Sequence, residues 1–259
     1  MNPPVALTIA GTDSGGAAGT AADLATFAAL GVHGACVITA VTAQDTTGVS
    51  DIHAIPVATV EAQLRAVFDD LPVAAVKTGM LGSAEAVALV VRLCAGRPLV
   101  VDPVLVATSG AVLGGEDVRR AYLDHLLPVA TVVTPNLDEA RALAGHDGSP
   151  EGIAAELANA KSAVIVTGGD PEATGTCTDW LAEPGRPPIP LTHPAVPTKN
   201  DHGTGCTYSS ALAAHLAHGA PLREAAEQAA AYVTRQLTRS QHWTLGRGRG
   251  PIAHTKEIA

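Results

Sequence analysis

The sequence predicts an α/β protein in which one central, mainly parallel sheet is covered by helices on both faces. Short, almost continuously apolar runs alternate with helical patterns, which is typical of parallel strands buried on both faces. Hydrophobic residues make up 47% of the chain but aromatic residues only 3%, so Ala, Val and Leu must fill the core. Because no linker or shift in composition divides the 259 residues, we expect a single domain over residues 1–259.

The N-terminal part of the chain reads as a β-loop-α-β unit. Its first buried strand is predicted from the apolar run VALTIAG, which ends at Gly11. The following loop, GTDSGGAAG, is rich in Gly and Ser, and the helix after it has apolar residues at helical spacing with Gly31 as a C-cap. A second buried strand is predicted from ACVITAVTA.

The alternation continues to the C-terminal helices. Further strands are predicted from PVAAVKTG, PLVVDPV, ATVVTPN and SAVIVTGG. Helices are predicted from SAEAVALVVRLC with Ser83 as N-cap, GGEDVRRAYLDHLL, LDEARALAG, SPEGIAAELANA, and the segments 204–218 and 222–239. The Pro-rich residues 176–198 predict a hairpin or edge strands. Ligands of such sheets bind at the carboxyl ends of the strands, so we expect the functional site there.

Composition and charge exclude several classes of function. The net charge of −9 does not suggest binding to nucleic acid or to an anionic membrane surface. The four cysteines lie far apart without a CxxC pair, so neither a zinc site nor a redox dithiol is indicated. The first residues lack the basic region of a signal peptide, and no apolar run reaches membrane-spanning length. We therefore expect a cytoplasmic protein.

The stretch NDHGTGCT combines a Gly-rich turn with a cysteine at the start of a predicted helix. The unpaired N–H groups of Gly203, Thr204 and Gly205 would face the positive end of the helix dipole, which makes an anion site. Cys206 in that field would have a lowered pKa and favour the thiolate. The alternative is that Cys206 is a small packing residue in an ordinary helix start. The adjacent His202 would by default solvate the loop.

Two acidic stretches follow strands on the same edge. In TPNLDEA, Asn136 and Glu139 are three residues apart on a first helical turn, where an amide and a carboxylate suit a hydrated Mg²⁺. The same spacing also fits a capping box, and both functions can coexist. Asp102 ends the strand before Pro103, where its carboxylate could orient metal-bound water or simply form a turn.

A small heterocycle could bind near the first loop. Its glycines would let the backbone approach a ligand, and Asp23 and Gln44 could hydrogen-bond the ring nitrogens and an amino group. In the alternative reading, each of these residues is a polar group at the end of an element. The loop matches GxGxxG too loosely to indicate a dinucleotide.

Taken together, these stretches resemble the hydroxymethylpyrimidine/phosphomethylpyrimidine kinases of thiamine biosynthesis, in the ribokinase superfamily. The matching pieces occur in family order over almost the whole chain, and they include ALTIAGTDSGGAAG, VITAVTAQDTTGV, KTGMLG, VVDPVLVATSG, VVTPNLDEA, NDHGTGCT and GRGRGP. The resemblance implies a ribokinase-like three-layer sandwich and a homodimer. It also implies two ATP-dependent phosphorylations, first of the pyrimidine's hydroxymethyl group and then of the resulting monophosphate, with Mg²⁺.

The resemblance also assigns site residues by position. Gln44 matches the glutamine that recognises the pyrimidine, and Gly11, Asp23 and Met80 match its neighbours in that pocket. The anion hole corresponds to Gly203, Thr204 and Gly205, the general base to Cys206, and the Mg–ATP motif to Asn136 and Glu139. From its own place at a strand end, Asp102 is expected to be a further metal contact. The nucleotide is expected near Thr167 and Gly169, in a TGGD stretch where the family commonly has Lys at the first position.

Two other functions remain open from the sequence. A pyridoxal kinase would also phosphorylate a hydroxymethyl group on a nitrogen ring, although the combination of Gln44 with Cys206 favours the pyrimidine. A non-catalytic pyrimidine-binding protein could use the same fold. Such a protein would need neither the anion turn nor the pair Asn136 and Glu139.

Overall fold

A computed structural model describes residues 2–105, 115–158, 162–168 and 175–255 of the chain. Its strands are β1 (Val5–Ala10), β2 (His33–Ile38), β3 (Ala40–Asp45), β4 (Gly48–Ala54), β5 (Val73–Thr78), β6 (Leu99–Val101), β7 (Val132–Val133), β8 (Ala163–Val166), β9 (Thr176–Ala182) and β10 (Ile189–Pro194). Its α-helices are α1 (Gly19–Ala29), α2 (Val57–Asp70), α3 (Ala84–Cys94), α4 (Glu116–Ala121), α5 (Leu137–Ala144), α6 (Pro150–Leu157), α7 (Thr204–Ala217) and α8 (Leu222–Ser240). A π-helical turn (Tyr122–Leu126) and a 3₁₀ turn (Leu127–Val129) continue α4.

The central sheet has eight strands within the described residues, in the order β10-β9-β8-β7-β6-β5-β1-β2. In this sheet β8, β7, β6, β5, β1 and β2 pair in parallel, whereas β9 and β10 add an antiparallel edge. The mainly parallel sheet and the edge hairpin predicted for residues 176–198 are therefore confirmed. Parallel pairing brings the carboxyl ends of β1, β5, β6, β7 and β8 to one edge.

Helices cover both faces of this sheet. Alternate residues of a strand point to opposite faces, so Leu7 and Ile9 pack toward one helical layer while Ala6 packs toward the other. One layer contains α2 to α6, and the other contains α1, α7 and α8. The three-layer arrangement predicted from the alternation of strands and helices is confirmed. As predicted, Ser83 caps α3 by accepting a hydrogen bond from the N–H of Ala86.

The run predicted as a single second strand, ACVITAVTA, was assigned wrongly. The structure divides it at Thr39 into β2, which joins the central sheet, and β3, which pairs with β4 in a separate two-stranded hairpin. The side chains of β3 alternate between buried and exposed positions because only one face of the hairpin covers the protein. Neither β4 nor α2 was identified from the sequence. This hairpin carries Gln44 to the edge where β1 ends.

In the residues that the structure describes, we find no helix with the length and hydropathy needed to cross a bilayer.

Candidate active site

The loop between β1 and α1 is folded around a single carboxylate. Asp13 accepts hydrogen bonds from the N–H groups of Gly15, Ala17 and Ala18 at 2.8–3.0 Å. Burial opposes the charge of Asp13, but hydrogen bonds from His202 and from the Ala18 and Gly15 N–H groups lower its pKa. The ionised side chain thus shapes the Gly-rich loop that the sequence predicted to approach a ligand.

The β3–β4 hairpin is attached to this loop. Ser14 Oγ donates to the carbonyl oxygen of Gln44 at 2.7 Å and accepts from its N–H at 2.8 Å. Thr42 Oγ1 donates to the carbonyl oxygen of Thr12 at 2.8 Å. A register shift in β3 between Ala43 and Gln44 bends the strand at this point. These contacts hold the Gln44 side chain over the loop, where a ligand-recognising group was predicted.

The start of α7 packs directly against the same loop. Gly203 has a φ of +89°, and a Cβ atom there would overlap the carbonyl oxygen of Ala17. Only glycine fits that conformation and that distance. The N–H groups of Gly205 and Cys206 lie in the first turn, which has no intrahelical acceptors for them, and Gly205 is exposed. Of the predicted anion turn, Gly205 is thus open to solvent, whereas Gly203 is buried and the N–H of Thr204 donates to the carbonyl oxygen of Asp201 at 3.2 Å.

His202 joins the two halves of the pocket. Its Nε2 atom lies 3.1 Å from one end of the Gln44 side-chain amide and 3.4 Å from Oδ2 of Asp13. Gln44 and His202 line a cavity of about 310 Å³, and Arg249 also contributes to its wall. From the sequence, His202 is expected only to solvate the loop. The structure brings it to the contact between the predicted substrate residue and the anion turn.

A buried lysine lies near the carboxyl end of β5, where its charge interacts with Cys206. Lys77 Nζ, on β5, is 2.9 Å from Oδ1 and 3.1 Å from Oδ2 of Asp23, and 3.6 Å from Oδ2 of Asp102. Both Lys77 and Asp23 are fully buried. Although burial opposes its charge, the neighbouring negative groups, chiefly Asp23, raise the pKa of Lys77. The amine is therefore charged and neutralises the acids around it.

The position of Asp23 differs from the sequence prediction. Its carboxylate accepts hydrogen bonds from Thr8 Oγ1 at 2.5 Å and Ser210 Oγ at 2.7 Å, in addition to the ion pair with Lys77. With both oxygens engaged and the residue at 0% exposure, Asp23 fixes Lys77 instead of contacting a ligand ring.

Gly11 and Met80, two other residues predicted for the substrate pocket, are adjacent at the ends of β1 and β5. A Cβ atom on Gly11 would overlap Met80 Cε.

The environment of Cys206 reverses the predicted shift of its pKa. Burial raises the pKa of the Cys206 thiol to about 12, and the carboxylates of Asp102 and Asp23 add to the rise. Lys77 and the N–H of Gly19 oppose it without balancing it. The lowered pKa was expected from the helix terminus alone, whereas burial and these two carboxylates act in the opposite direction. At neutral pH the group is a neutral thiol.

Asn136 and Glu139 form the capping box at the start of α5. Asn136 Oδ1 accepts from the N–H of Glu139 at 2.9 Å, and Glu139 Oε2 accepts from the N–H of Asn136 at 3.0 Å. Burial raises the pKa of Glu139 well above its ordinary value, and the charge of Asp102 adds to this rise. Burial also raises the pKa of Asp102, while Lys77 and a hydrogen bond from Ser209 oppose the shift.

These two carboxylates fit a divalent cation. Asp102 follows β6 and Glu139 lies one turn after β7, so neighbouring parallel strands bring both acids to the same edge. The charge of Asp102 destabilises the charged form of Glu139, and Lys77 is engaged mainly with Asp23. A hard cation with oxygen ligands would relieve that repulsion. The capping box leaves this possibility intact because it uses only Oε2 of Glu139.

Thr167 lies beside Asn136. It forms a parallel bridge with Asn136, and its N–H donates to the carbonyl oxygen of Pro135 at 2.9 Å. It is half-buried at the end of β8. The other residue predicted from the same stretch, Gly169, lies outside the described residues.

A second polar cluster lies on the β9–β10 hairpin. Cys177, Asp179 and His193 have ligand-type atoms within 4.8 Å of one another. Hydrogen bonds to Asp179 and then to Cys177 raise the pKa of His193 to about 10, so its imidazole is positively charged at neutral pH and paired with Asp179 at 3.3 Å. Asp179 Oδ1 also accepts from the N–H of Gly168. The cluster is thus an ion pair that anchors the residues after β8.

Comparison with known proteins places the chain among kinases. The sequence profile of a family described as phosphomethylpyrimidine kinase matches residues 13–253. A hydroxymethylpyrimidine/phosphomethylpyrimidine kinase of Rhizobium meliloti is 46% identical over 96% of this chain and 96% of its own length. A thiamine biosynthesis bifunctional protein of Geobacter sulfurreducens is also 46% identical, over 96% of this chain and 51% of its own length.

Solved structures confirm the fold. An ADP complex of Bacillus subtilis pyridoxal kinase superposes with a TM-score of 0.84 at 32% identity, covering 97% of both chains. The ribokinase-like three-layer sandwich implied by the resemblance is therefore confirmed. The adenine nucleotide in that relative also agrees with the use of ATP that the sequence predicted.

Proposed function

Because the chain belongs to the phosphomethylpyrimidine kinase family, we propose that it phosphorylates the hydroxymethyl group of 4-amino-5-hydroxymethyl-2-methylpyrimidine with ATP, and then the monophosphate to the diphosphate. These reactions would serve thiamine biosynthesis. The Geobacter sulfurreducens relative, which is also 46% identical to this chain, is named as a bifunctional protein of that pathway. The observation that carries the proposal is the contact between Gln44 and the start of α7 through His202. It supports a pocket in which a ring-recognising amide stands beside an anion site.

We propose that the ring binds between Gln44, Gly11 and Met80 with its hydroxymethyl oxygen toward the turn of α7. The N–H groups of Gly203, Gly205 and Cys206 then stabilise the charge on the transferring phosphoryl group, whereas the N–H of Thr204 already donates to the carbonyl oxygen of Asp201 at 3.2 Å. Phosphoryl transfer depends mainly on positioning and electrostatic stabilisation, and removing one such donor typically lowers kcat about 10²–10³-fold. The turn should therefore contribute more to the rate than peripheral contacts do.

Cys206 enters this proposal as a neutral thiol. A group with a pKa of about 12 is protonated at neutral pH and cannot accept a proton in the resting enzyme. The transition state of phosphoryl transfer is loose, so the hydroxyl proton leaves late. An oxygen of the transferred phosphoryl group can accept that proton. Cys206 then lines the anion site, and the general base predicted at this position is not required.

Mg²⁺ would be held by Asp102 and Glu139, with Asn136 and Thr167 on the nucleotide side. When bound, it would supply neutralisation of charge on the ATP phosphates. The two carboxylates support this assignment because burial raises the pKa of each, and the charge of Asp102 raises the pKa of Glu139 further. We also propose Gly169 as a nucleotide contact, on the basis of its place in the TGGD stretch.

Pyridoxal is a second candidate substrate. The observation that favours it is the close similarity to a pyridoxal kinase, at 32% identity and a TM-score of 0.84. Values of kcat/KM for the pyrimidine alcohol, its monophosphate and pyridoxal, with ATP and Mg²⁺, test both candidates. We expect the two pyrimidines to exceed pyridoxal by at least about tenfold. A higher value for pyridoxal would refute the pyrimidine assignment, and tight pyrimidine binding without ATP consumption would show a non-catalytic binding protein.

The assembly and location follow the family expectation. We propose a homodimer that acts in the cytoplasm, which sedimentation velocity and cell fractionation would check. A monomer at micromolar concentration with full activity would contradict the first part.

A further inference from the structure

Gln44 is the proposed ring-recognising residue, yet its amide has two chemically different ends. One end presents an oxygen that accepts hydrogen bonds, and the other presents an NH₂ group that donates them. The two ends have nearly the same shape, so their assignment follows from the neighbouring groups. Which end faces the ligand decides which ring can bind.

The first neighbour is His202. Its Nε2 atom lies 3.1 Å from one end of the Gln44 amide and 3.4 Å from Oδ2 of Asp13. Asp13 is ionised, because hydrogen bonds to its carboxylate lower its pKa. A bare Nε2 lone pair would face that negative charge, so Nε2 carries the proton. The end of Gln44 that faces this N–H must then be the oxygen.

The second neighbour is Thr42. Its hydroxyl donates to the carbonyl oxygen of Thr12 at 2.8 Å and lies 3.5 Å from the other end of the Gln44 amide. With its proton already used, Thr42 Oγ1 can only accept from Gln44. The end that faces Thr42 must be the NH₂ group. Two independent neighbours therefore require the same orientation of the amide.

We propose that His202, held by Asp13, is a positioning residue that fixes Gln44 with Oε1 toward the imidazole and Nε2 toward Thr42. In this orientation one lone pair of Oε1 and one N–H of Nε2 remain for a ligand. They match a ring in which an amino group lies next to a ring nitrogen, as in a 4-aminopyrimidine. This inference rests on the proposed function and extends it, because it makes His202 a determinant of specificity for aminopyrimidines over pyridoxal.

Amide orientation can be measured without activity. In a protein labelled with ¹⁵N and ¹³C, we expect nuclear Overhauser contacts from the Gln44 side-chain NH₂ to the Thr42 methyl group. We also expect a protonated Nε2 on His202 in long-range ¹H–¹⁵N spectra. Contacts from the Gln44 NH₂ to the His202 ring, or a bare Nε2, would overturn the proposal. This result is independent of catalysis, so a failure of the kinase assignment would remain distinguishable.

Kinetics test the consequence for specificity. His202→Leu removes the donor, and the loss of one oriented hydrogen bond should raise KM for the pyrimidine about three- to tenfold. The kcat value and KM for ATP should change less than twofold, and KM for pyridoxal should not rise. His202→Gln keeps an N–H donor and should restore KM for the pyrimidine to within about twofold. His215→Leu, at a half-buried histidine near the C-terminal end of α7, is the matched control.

A merely structural function of His202 predicts a different pattern. In that case KM for both ring substrates would rise together, and His202→Gln would not rescue it. Either result would overturn the specificity proposal. If His202→Leu does not fold, the comparison of His202→Gln with the wild type and the NMR contacts still decide the question.

Discussion

Lys77→Met should destabilise the protein strongly. The substitution keeps an unbranched side chain of similar length but removes the charge that lies 2.9 Å from Asp23 and 3.6 Å from Asp102. Because Lys77 and Asp23 are fully buried, water cannot replace the lost partner. Removing one member of a buried ion pair typically costs about 3–5 kcal/mol, since the remaining charge is left uncompensated. At about 2–4 °C per kcal/mol, Tm should fall by about 6–20 °C.

Urea unfolding followed by circular dichroism measures this change directly. Lys199→Met, at an exposed position, is the matched control and should stay within about 0.5 kcal/mol of the wild type. The double variant Lys77→Met/Asp23→Asn should recover part of the loss, because it removes the orphaned charge. A Lys77→Met protein within 1 kcal/mol of the wild type would refute the reasoning. The buried amine would then not be the group that neutralises these acids.

Three further outcomes follow from the geometry of the site. Gly203→Ala should lower kcat/KM about 100-fold, because its Cβ would push the anion turn away from Ala17. Gly219→Ala, just past the other end of α7, is the control. It has a similar positive φ but open space around it, so kcat/KM should stay unchanged. A loss of the same size in both variants would show that strain alone is responsible. Iodoacetamide at pH 8 should modify Cys206 more than a thousandfold slower in the native than in the unfolded protein, because the pKa of the native thiol is raised to about 12. Peptide mass spectrometry measures both rates. Rapid modification of the native protein would show that Cys206 is a thiolate and could act as the base. Without Mg²⁺ or nucleotide, the free energy of unfolding should decrease as pH rises from roughly 4 toward the raised pKa of Glu139, because the native state binds more protons than the unfolded state in that window. Glu139→Gln should flatten this dependence in urea titrations, and an unchanged slope would contradict the assignment.

Much of the fold was predictable because its signals are local. Apolar runs such as Val5–Ala10 and Ala163–Val166 fix the buried strands, and the capping residues Ser83 and Asn136 mark where helices begin. The division at Thr39 was not predictable in this way. The runs on either side of Thr39 are both apolar, and only tertiary packing separates the sheet strand from the hairpin.

The site residues differ in the same way: some could be predicted from local sequence, and others depend on distant partners. Gln44, Gly203 and Glu139 lie in short motifs whose chemistry can be read from neighbours in sequence. Lys77 and His202 obtain their function from partners far along the chain, since Lys77 meets Asp23 across 54 residues and His202 meets Gln44 across 158. No local pattern indicates such pairings. The pKa of Cys206 was mispredicted for the same reason, because the acids that raise it lie on other elements.

A single time course tests the central proposal most directly. The purified chain is mixed with ATP, Mg²⁺ and 4-amino-5-hydroxymethyl-2-methylpyrimidine, and the products are followed by liquid chromatography and mass spectrometry. We expect the alcohol to disappear, the monophosphate to rise and then fall, and the diphosphate to accumulate with two ATP consumed per ring. Persistence of the unmodified alcohol with an active, folded protein would contradict the proposed function.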